Sequence, residues 1–298
     1  RDTGSTDTGQ TFRHDTAPIS KHDNRLTSLR RITVTMKLSV PVTQPFSFGQ
    51  TVTFIRRFPP CRGDYVITDD SLTAAVAIDG RAVAFTIRAA GTQVHVELEE
   101  PRHAAAIVAR ASHFIGATDD LTSFYAAAEG DPPFRRLVQR LYGLHHVRFL
   151  TLEEIAVYCV MMQRTPVALA SRLKRKFLDR FGIPIAVGDT TLQAMPEMDF
   201  LAALDADDIA KAIGHARKGP QIATVVRAVA AIGEPFLRSA PYGEARDALL
   251  EIPGIGPFSA AAILLRGLGR MDELPELRGL ADEARELYGD TYDAAALA

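Results

Sequence analysis

The sequence has no tryptophan, only two cysteines and no excess of charge of either sign. In 298 residues, 34 Lys and Arg stand against 36 Asp and Glu, a formal net charge of −2 with a pI near 6.5. A generic basic, polyanion-coating protein is thereby excluded; any nucleic-acid binding has to come from a local patch or from backbone amides. Cys61 and Cys159 lie far apart and outside any Cys-x-x-Cys spacing. That excludes a disulfide framework or a cysteine-based zinc site and leaves two small buried apolar residues. Without Trp and with seven Tyr, base-stacking platforms are limited to Phe and a few Tyr. No run of about 18 apolar residues occurs and no signal-peptide core opens the chain, so a soluble cytoplasmic protein is expected. What is present is ordinary globular usage, 47% apolar and 23% charged, at a length that suits roughly two domains.

Residues 1–35 are rich in Thr, Asp, Arg and Ser with no apolar period. They cannot bury enough surface to offset chain entropy, so a disordered tail or an extension is expected, with Met36 heading what resembles a natural start. Residues 36–117 predict a small α+β domain. Three strands, near 72–78, 82–88 and 94–98, are separated by Asp79-Gly80 and Ala90-Gly91 and form an antiparallel meander. Helices over 46–55 and 101–112 pack on it. Residues 118–298 predict an all-α region in two lobes, with helices over 120–128, 133–141, 151–162, 167–180, 199–204, 206–213, 220–231 and 242–250. Thr151 serves as an N-cap ahead of Glu153 and Glu154, and Gly182 closes the helix before it.

The most specific stretch is Leu250-Glu251-Ile252-Pro253-Gly254-Ile255-Gly256-Pro257-Phe258-Ser259, followed by a run of small apolar residues. A helix ends, a tight turn carries two glycines around Ile255, and a second helix begins near Pro257. Gly254 and Gly256 let the backbone come close to a ligand, and amides freed at the helix start face outward with its positive dipole end. A nucleic-acid backbone can be gripped this way without net positive charge, with Ile255 plugging the turn into the helix pair. The plain alternative is a helix–turn–helix with a glycine corner. His145-His146 has no third ligand in view and is not read as a metal site. Arg172, Lys174, Arg175 and Lys176 form a solvated helix face or a DNA-facing stripe.

This string resembles the helix-hairpin-helix (HhH-GPD) DNA glycosylase superfamily, in particular its bacterial 3-methyladenine DNA glycosylase II members. The likeness extends to the β-rich start, to residues 149–182, to Lys218-Gly219-Pro220-Gln221 and to Leu265-Arg266-Gly267. It implies binding of double-stranded DNA and extrusion of an alkylated purine, with hydrolysis of its N-glycosidic bond. Pro253, Gly254, Ile255, Gly256, Phe258 and Ser259 would contact DNA, with Gln163 and Arg164 at the wedge position; Arg164 stands where the family has an apolar residue. The carbonyls of Leu250, Ile252 and Gly254 match those that hold a monovalent cation, Na or K; no other cofactor is required. A monomer with no membrane contact is expected.

One departure bears on catalysis. Cleavage passes through an oxocarbenium-like sugar and needs a nearby carboxylate. Counting from Pro275 or from Gly256, the family's Asp position falls on Leu277, which carries no charge. Glu276 is the neighbouring acid and a weak substitute, while Asp272, Glu273 and Asp282 read as surface acids. Where a bifunctional lyase would carry a nucleophilic Lys, the chain has Phe258, so a monofunctional enzyme is expected. The alternative is a homologue that binds DNA or lesions without cutting.

Overall fold

The computed structural model describes residues 35–275 and 279–289. Residues 1–34, 276–278 and 290–298 lie outside the described residues, and with them most of the expected tail, Glu276 and Leu277. The expected α+β class holds. Five antiparallel strands, β1 (Met36–Val40), β2 (Val66–Ile67), β3 (Ser71–Ile78), β4 (Arg81–Ala90) and β5 (Gln93–Leu98), stand in the order β1-β5-β4-β3-β2. The Asp79-Gly80 turn that joins β3 to β4 takes positive φ at both residues, 52° and 71°, the geometry that matches strand twist in a two-residue hairpin. Alternation along β4 turns Val83, Phe85 and Ile87 inward. The sequence reading missed β1, which pairs as an edge strand with Met36 opposite Leu98.

Two helices cover one face of this sheet. α1 (Phe48–Arg57) starts at Ser47, whose hydroxyl accepts from the Gln50 amide at 3.2 Å. α2 (Ala104–Phe114) follows a 3-10 turn over Pro101–His103. Phe48, Val52 and Ile55 from α1 and Ile107, Ala111 and Phe114 from α2 join the sheet in one apolar core.

The helical body follows: α3 (Thr122–Glu129), α4 (Pro132–Arg140), α5 (Leu152–Met162), α6 (Val167–Phe181), α7 (Met198–Ala203), α8 (Ala206–Ile213), α9 (Lys218–Ile232), α10 (Glu234–Ser239), α11 (Tyr242–Leu250), α12 (Pro257–Ala262) and α13 (Leu280–Tyr288). α12 runs directly into a π-helical turn over Ile263–Gly267. α5 is its axis: Thr151 caps it through the Glu154 amide at 3.1 Å, and nine of its eleven residues are buried, so it packs on all sides.

This body is not free of strands, as the sequence had suggested. β6 (Ile183–Val187) and β7 (Thr190–Ala194) form a hairpin after α6. Its Leu192 and Ala194 settle on Ala75 and Ala77 of β3, where small side chains leave room on the sheet's second face. Glu197, beyond the hairpin, accepts from the amides of Asp79 and Gly80 at 3.3 and 2.8 Å and so ties the helical half to the sheet turn. Gly182 does end α6, but at φ −62° rather than in a left-handed cap. A Cβ there would meet the Leu178 carbonyl oxygen at 2.5 Å.

The basic cluster on α6 is split by the fold. Lys174 is buried, bonded to Glu154 on α5, to the Pro60 carbonyl at 2.8 Å and to Asp64 at 2.5 Å. Burial alone would lower its pKa, but the charges of Glu154 and Asp64 outweigh it and hold the ammonium well above its usual range. Arg172, Arg175 and Lys176 remain exposed. Both cysteines are buried free thiols, and burial pushes Cys159 up to about 12. Among the described residues no helix is long and apolar enough to cross a membrane.

Candidate nucleic-acid interface

The glycine corner lies between α11 and α12, and its shape follows from its residues. Ile255 donates its amide to the Ile252 carbonyl at 2.9 Å, with Pro253 and Gly254 between them and Gly254 at φ +94°. Pro second and a positive-φ Gly third is the pattern of a type II turn. Ile252 and Ile255 point inward, 4% and 6% exposed, and plug the turn into the core. Pro253, Gly254, Gly256 and Pro257 face solvent, and Phe258 is 40% exposed. Gly256 is the N-cap of α12 and has no side chain to cap it. Pro257 has no amide N–H, Ala260 donates to the Gly256 carbonyl at 3.0 Å, and among the described residues the amides of Phe258 and Ser259 have no acceptor at the helix start. A Cβ built on Gly254 or Gly256 would meet nothing within 4 Å. The Ser259 side chain is buried, and its carbonyl lies 3.9 Å from the Cys159 thiol, so only its amide belongs to the corner.

Gln163 is brought to this corner from the far end of α5. Its side-chain amide donates to the Gly254 carbonyl at 2.6 Å. Next to it Arg164 is exposed and holds φ +50°, a left-handed backbone uncommon for a residue with a side chain. Lys218 explains how the loop stays there, and sequence reasoning missed it. Its buried ammonium donates to the carbonyls of Val160 at 2.7 Å and Gln163 at 3.0 Å, neutralising the negative end of α5. Burial lowers its pKa. The only signal in the sequence was a lysine directly ahead of Gly219-Pro220.

Of the three carbonyls expected at a cation, that of Ile252 accepts from Ile255 and that of Gly254 from Gln163; among the described residues none donates to that of Leu250. Asp272 and Glu273 are exposed and paired, with Arg270 at 3.6 Å and Arg246 at 2.8 Å. Asp282 pairs with Arg285 at 2.9 Å. The histidine pair lies outside helix and strand: His145 bonds the carbonyls of Gly116 and Pro45, while His146 sits 3.4 Å from the Arg266 guanidinium. Among the described residues no group of three His, Cys, Asp or Glu side chains is placed to hold a metal ion.

The closing end of the hairpin is as enclosed as its corner is open. Arg266 stacks on Phe58 and Phe54, 4.5 and 5.2 Å from their ring centres, and burial lowers it to about 10. His113 bonds the Gly267 carbonyl at 2.8 Å. Burial lowers His113 to about 4 and, with Arg266 and Arg148 adding to it, His146 to about 3.

No family model matches the chain. A DNA-3-methyladenine glycosylase of Bacillus subtilis (strain 168) is 29% identical over 152 residues, 50% of this chain and 50% of that protein. A probable bifunctional transcriptional activator/DNA repair enzyme AlkA of Mycobacterium tuberculosis is 27% identical over 182 residues, 60% of this chain and 36% of that protein. The chain thus spans half or less of the length of the curated relatives it matches. A solved 3-methyladenine DNA-glycosylase from Archaeoglobus fulgidus superposes with a TM-score of 0.71 at 19% identity, over 88% of this chain and 90% of that one. MBOgg1 in complex with a low affinity DNA ligand gives 0.66 at 19%, over 85% and 83%. The chain is thus similar in sequence to DNA-3-methyladenine glycosylases over about half its length, and its β-rich start and helical body share the α+β fold of solved DNA glycosylases.

Proposed function

We propose that the protein is a DNA-repair glycosylase that grips double-stranded DNA at the Gly254–Gly256 corner, extrudes an alkylated purine and hydrolyses its N-glycosidic bond without lyase chemistry. The observation that carries this is the open corner itself, with free amides at the start of α12 and Gln163 bonded to the Gly254 carbonyl beside it. The names of the relatives point the same way. In this reading the corner binds a phosphate by its amides, Gln163 fills the gap that a flipped base leaves, and Arg164 beside it faces the strand's backbone. A monovalent cation fits the hard oxygen donors of Leu250, Ile252 and Gly254, two of which are already engaged. Bound there it would add positive charge toward the phosphate.

The substrate class follows from what the chain lacks. With Leu277 at the family's Asp position, little electrostatic help is available to the sugar cation, a loss worth about 10²–10³ in rate. A cationic base such as 3-methyladenine or 7-methylguanine is already a good leaving group and needs that help least. Purified protein is therefore expected to release free base from methylated duplex slowly but above buffer, and Leu277→Asp is expected to speed it. Leu277 also favours a second reading, a relative that binds lesions without cutting. Retained duplex binding with no release above buffer establishes that reading in place of the first, while failure to bind duplex at all rejects both.

A further inference from the structure

The corner that contacts DNA in the reading above carries no cation of its own: from Glu251 to Leu265 there is no Lys or Arg. Amides alone give a short-range grip, whereas most of the affinity of proteins for duplex DNA comes from cations that displace counterions. The fold places cations directly beside the corner. Gln163 joins the corner to the α5–α6 loop at 2.6 Å, and Lys218 joins that loop to the α8–α9 turn at 3.0 Å. Because Lys218 is drawn inward to the α5 carbonyls, its neighbour Arg217 is left on the outside, exposed at the start of α9. Gly214, in a left-handed turn at φ +69°, brings the end of α8 against α6, where the Lys176 ammonium lies 3.3 Å from the position a Gly214 Cβ would take. Arg172 lies one helical turn before Lys176 on the same side of α6 and is also exposed. Arg164 leads into that helix. Among the described residues, none of Arg164, Arg172, Lys176 and Arg217 forms an ion pair, whereas Lys211 nearby is matched with Asp208 at 3.5 Å.

We propose that Arg164, Arg172, Lys176 and Arg217 form a second DNA-contacting surface, a cationic strip that runs from the α5–α6 loop to the α8–α9 turn and holds backbone phosphates next to the hairpin. This rests on the duplex-binding reading. The strip does not read sequence, because contacts to phosphates fix position on the duplex and carry no sequence information. It divides the work with the corner: peptide groups fix the register of one phosphate, and exposed charged side chains supply the salt-dependent attraction.

Binding of a short fluorescein-labelled, undamaged DNA duplex, measured by anisotropy over a series of KCl concentrations, tests the strip. Arg217→Ala and the pair Arg172→Ala with Lys176→Ala are expected to weaken binding for every duplex sequence alike. Each lost contact should reduce the slope of log affinity against log salt by about one. Lys37→Ala, on the β1 edge of the sheet, removes the same charge as Arg217→Ala and should leave the slope unchanged. All these side chains are on the surface, and a thermal melt checks that each variant is folded. Wild-type binding with a slope that the strip variants do not change overturns the strip and leaves the corner standing. A wild-type protein that binds no duplex overturns both.

Discussion

Gly219 and Gly256 each stand at the start of a helix that follows a short corner, yet their surroundings are opposite. A Cβ on Gly219 would lie 2.5 Å from both the amide nitrogen and the Cβ of Ala210, whereas one on Gly256 would meet nothing. The first glycine exists so that α8 and α9 can close on each other. Among the described residues nothing requires the second to be small, which leaves space beside the turn for an approaching ligand. The same contrast holds within the hairpin: its corner is open, and its far end is sealed by Arg266 on Phe54 and Phe58 and by His113 on Gly267.

Changes on the closed side should be the costly ones. The largest expected effect is that of Lys218→Met, which leaves the buried Val160 carbonyl and the Gln163 carbonyl without their charged donor. Stability should fall by about 3 kcal/mol, measured by urea unfolding, and a loss below about 1 kcal/mol would show that water replaces the ammonium. Gly219→Ala should cost about 1–3 kcal/mol, because backbone atoms of α8 must move; a neutral result would mean that the two helices separate easily and that the contrast with Gly256 is not one of packing.

The sealed end makes a pH prediction. His113 and His146 are held neutral in the folded protein, near 4 and 3, against about 6.5 when unfolded. The unfolded chain therefore binds more protons between those values. Stability is complete above pH 6.5 and falls as pH drops through the window toward 4 and 3. At pH 5 the loss is at most about 2 kcal/mol per histidine, from ~1.4 kcal/mol per unit. His146→Gln should flatten the profile of unfolding free energy between pH 7 and 5; an unchanged slope would mean that this histidine titrates normally.

How far the sequence could be read follows the same division between open and closed. The corner was legible because a type II turn needs Pro and Gly in fixed places, and Thr151 and Asp79-Gly80 because caps and hairpin turns are local. β6 and β7 were not: the pattern is five residues long, is interrupted by Pro184, and gains much of its burial from Ala75 and Ala77, more than a hundred residues earlier. Lys174 and Lys218 were also hidden, since residue type argues for solvent and only the fold supplies their carbonyls and carboxylates. Ser259 was expected among the DNA contacts from the family resemblance, but the helix turns its side chain in.

The smallest effects on stability, and the most direct ones on binding, belong to the corner. Gly254→Ala forces a side chain into φ +94° and should cost about 1–2 kcal/mol of strain, mixing loss of fold with loss of grip. Gly256→Ala separates them. At φ −105° and ψ 178° Gly256 has the extended backbone that any residue adopts before proline, and there is room for the methyl group. Ala stabilises by restricting the unfolded chain but is a poorer N-cap than Gly, and the two effects oppose each other at about 0.5–1 kcal/mol each. The melting temperature should therefore barely move. A phosphate drawn up to the amides of Phe258 and Ser259 would meet that methyl, so duplex affinity should drop while the fold stays intact. If Gly256→Ala binds duplex as the wild type does, no strand comes close to the corner, and its open space is a feature of the turn rather than of a partner.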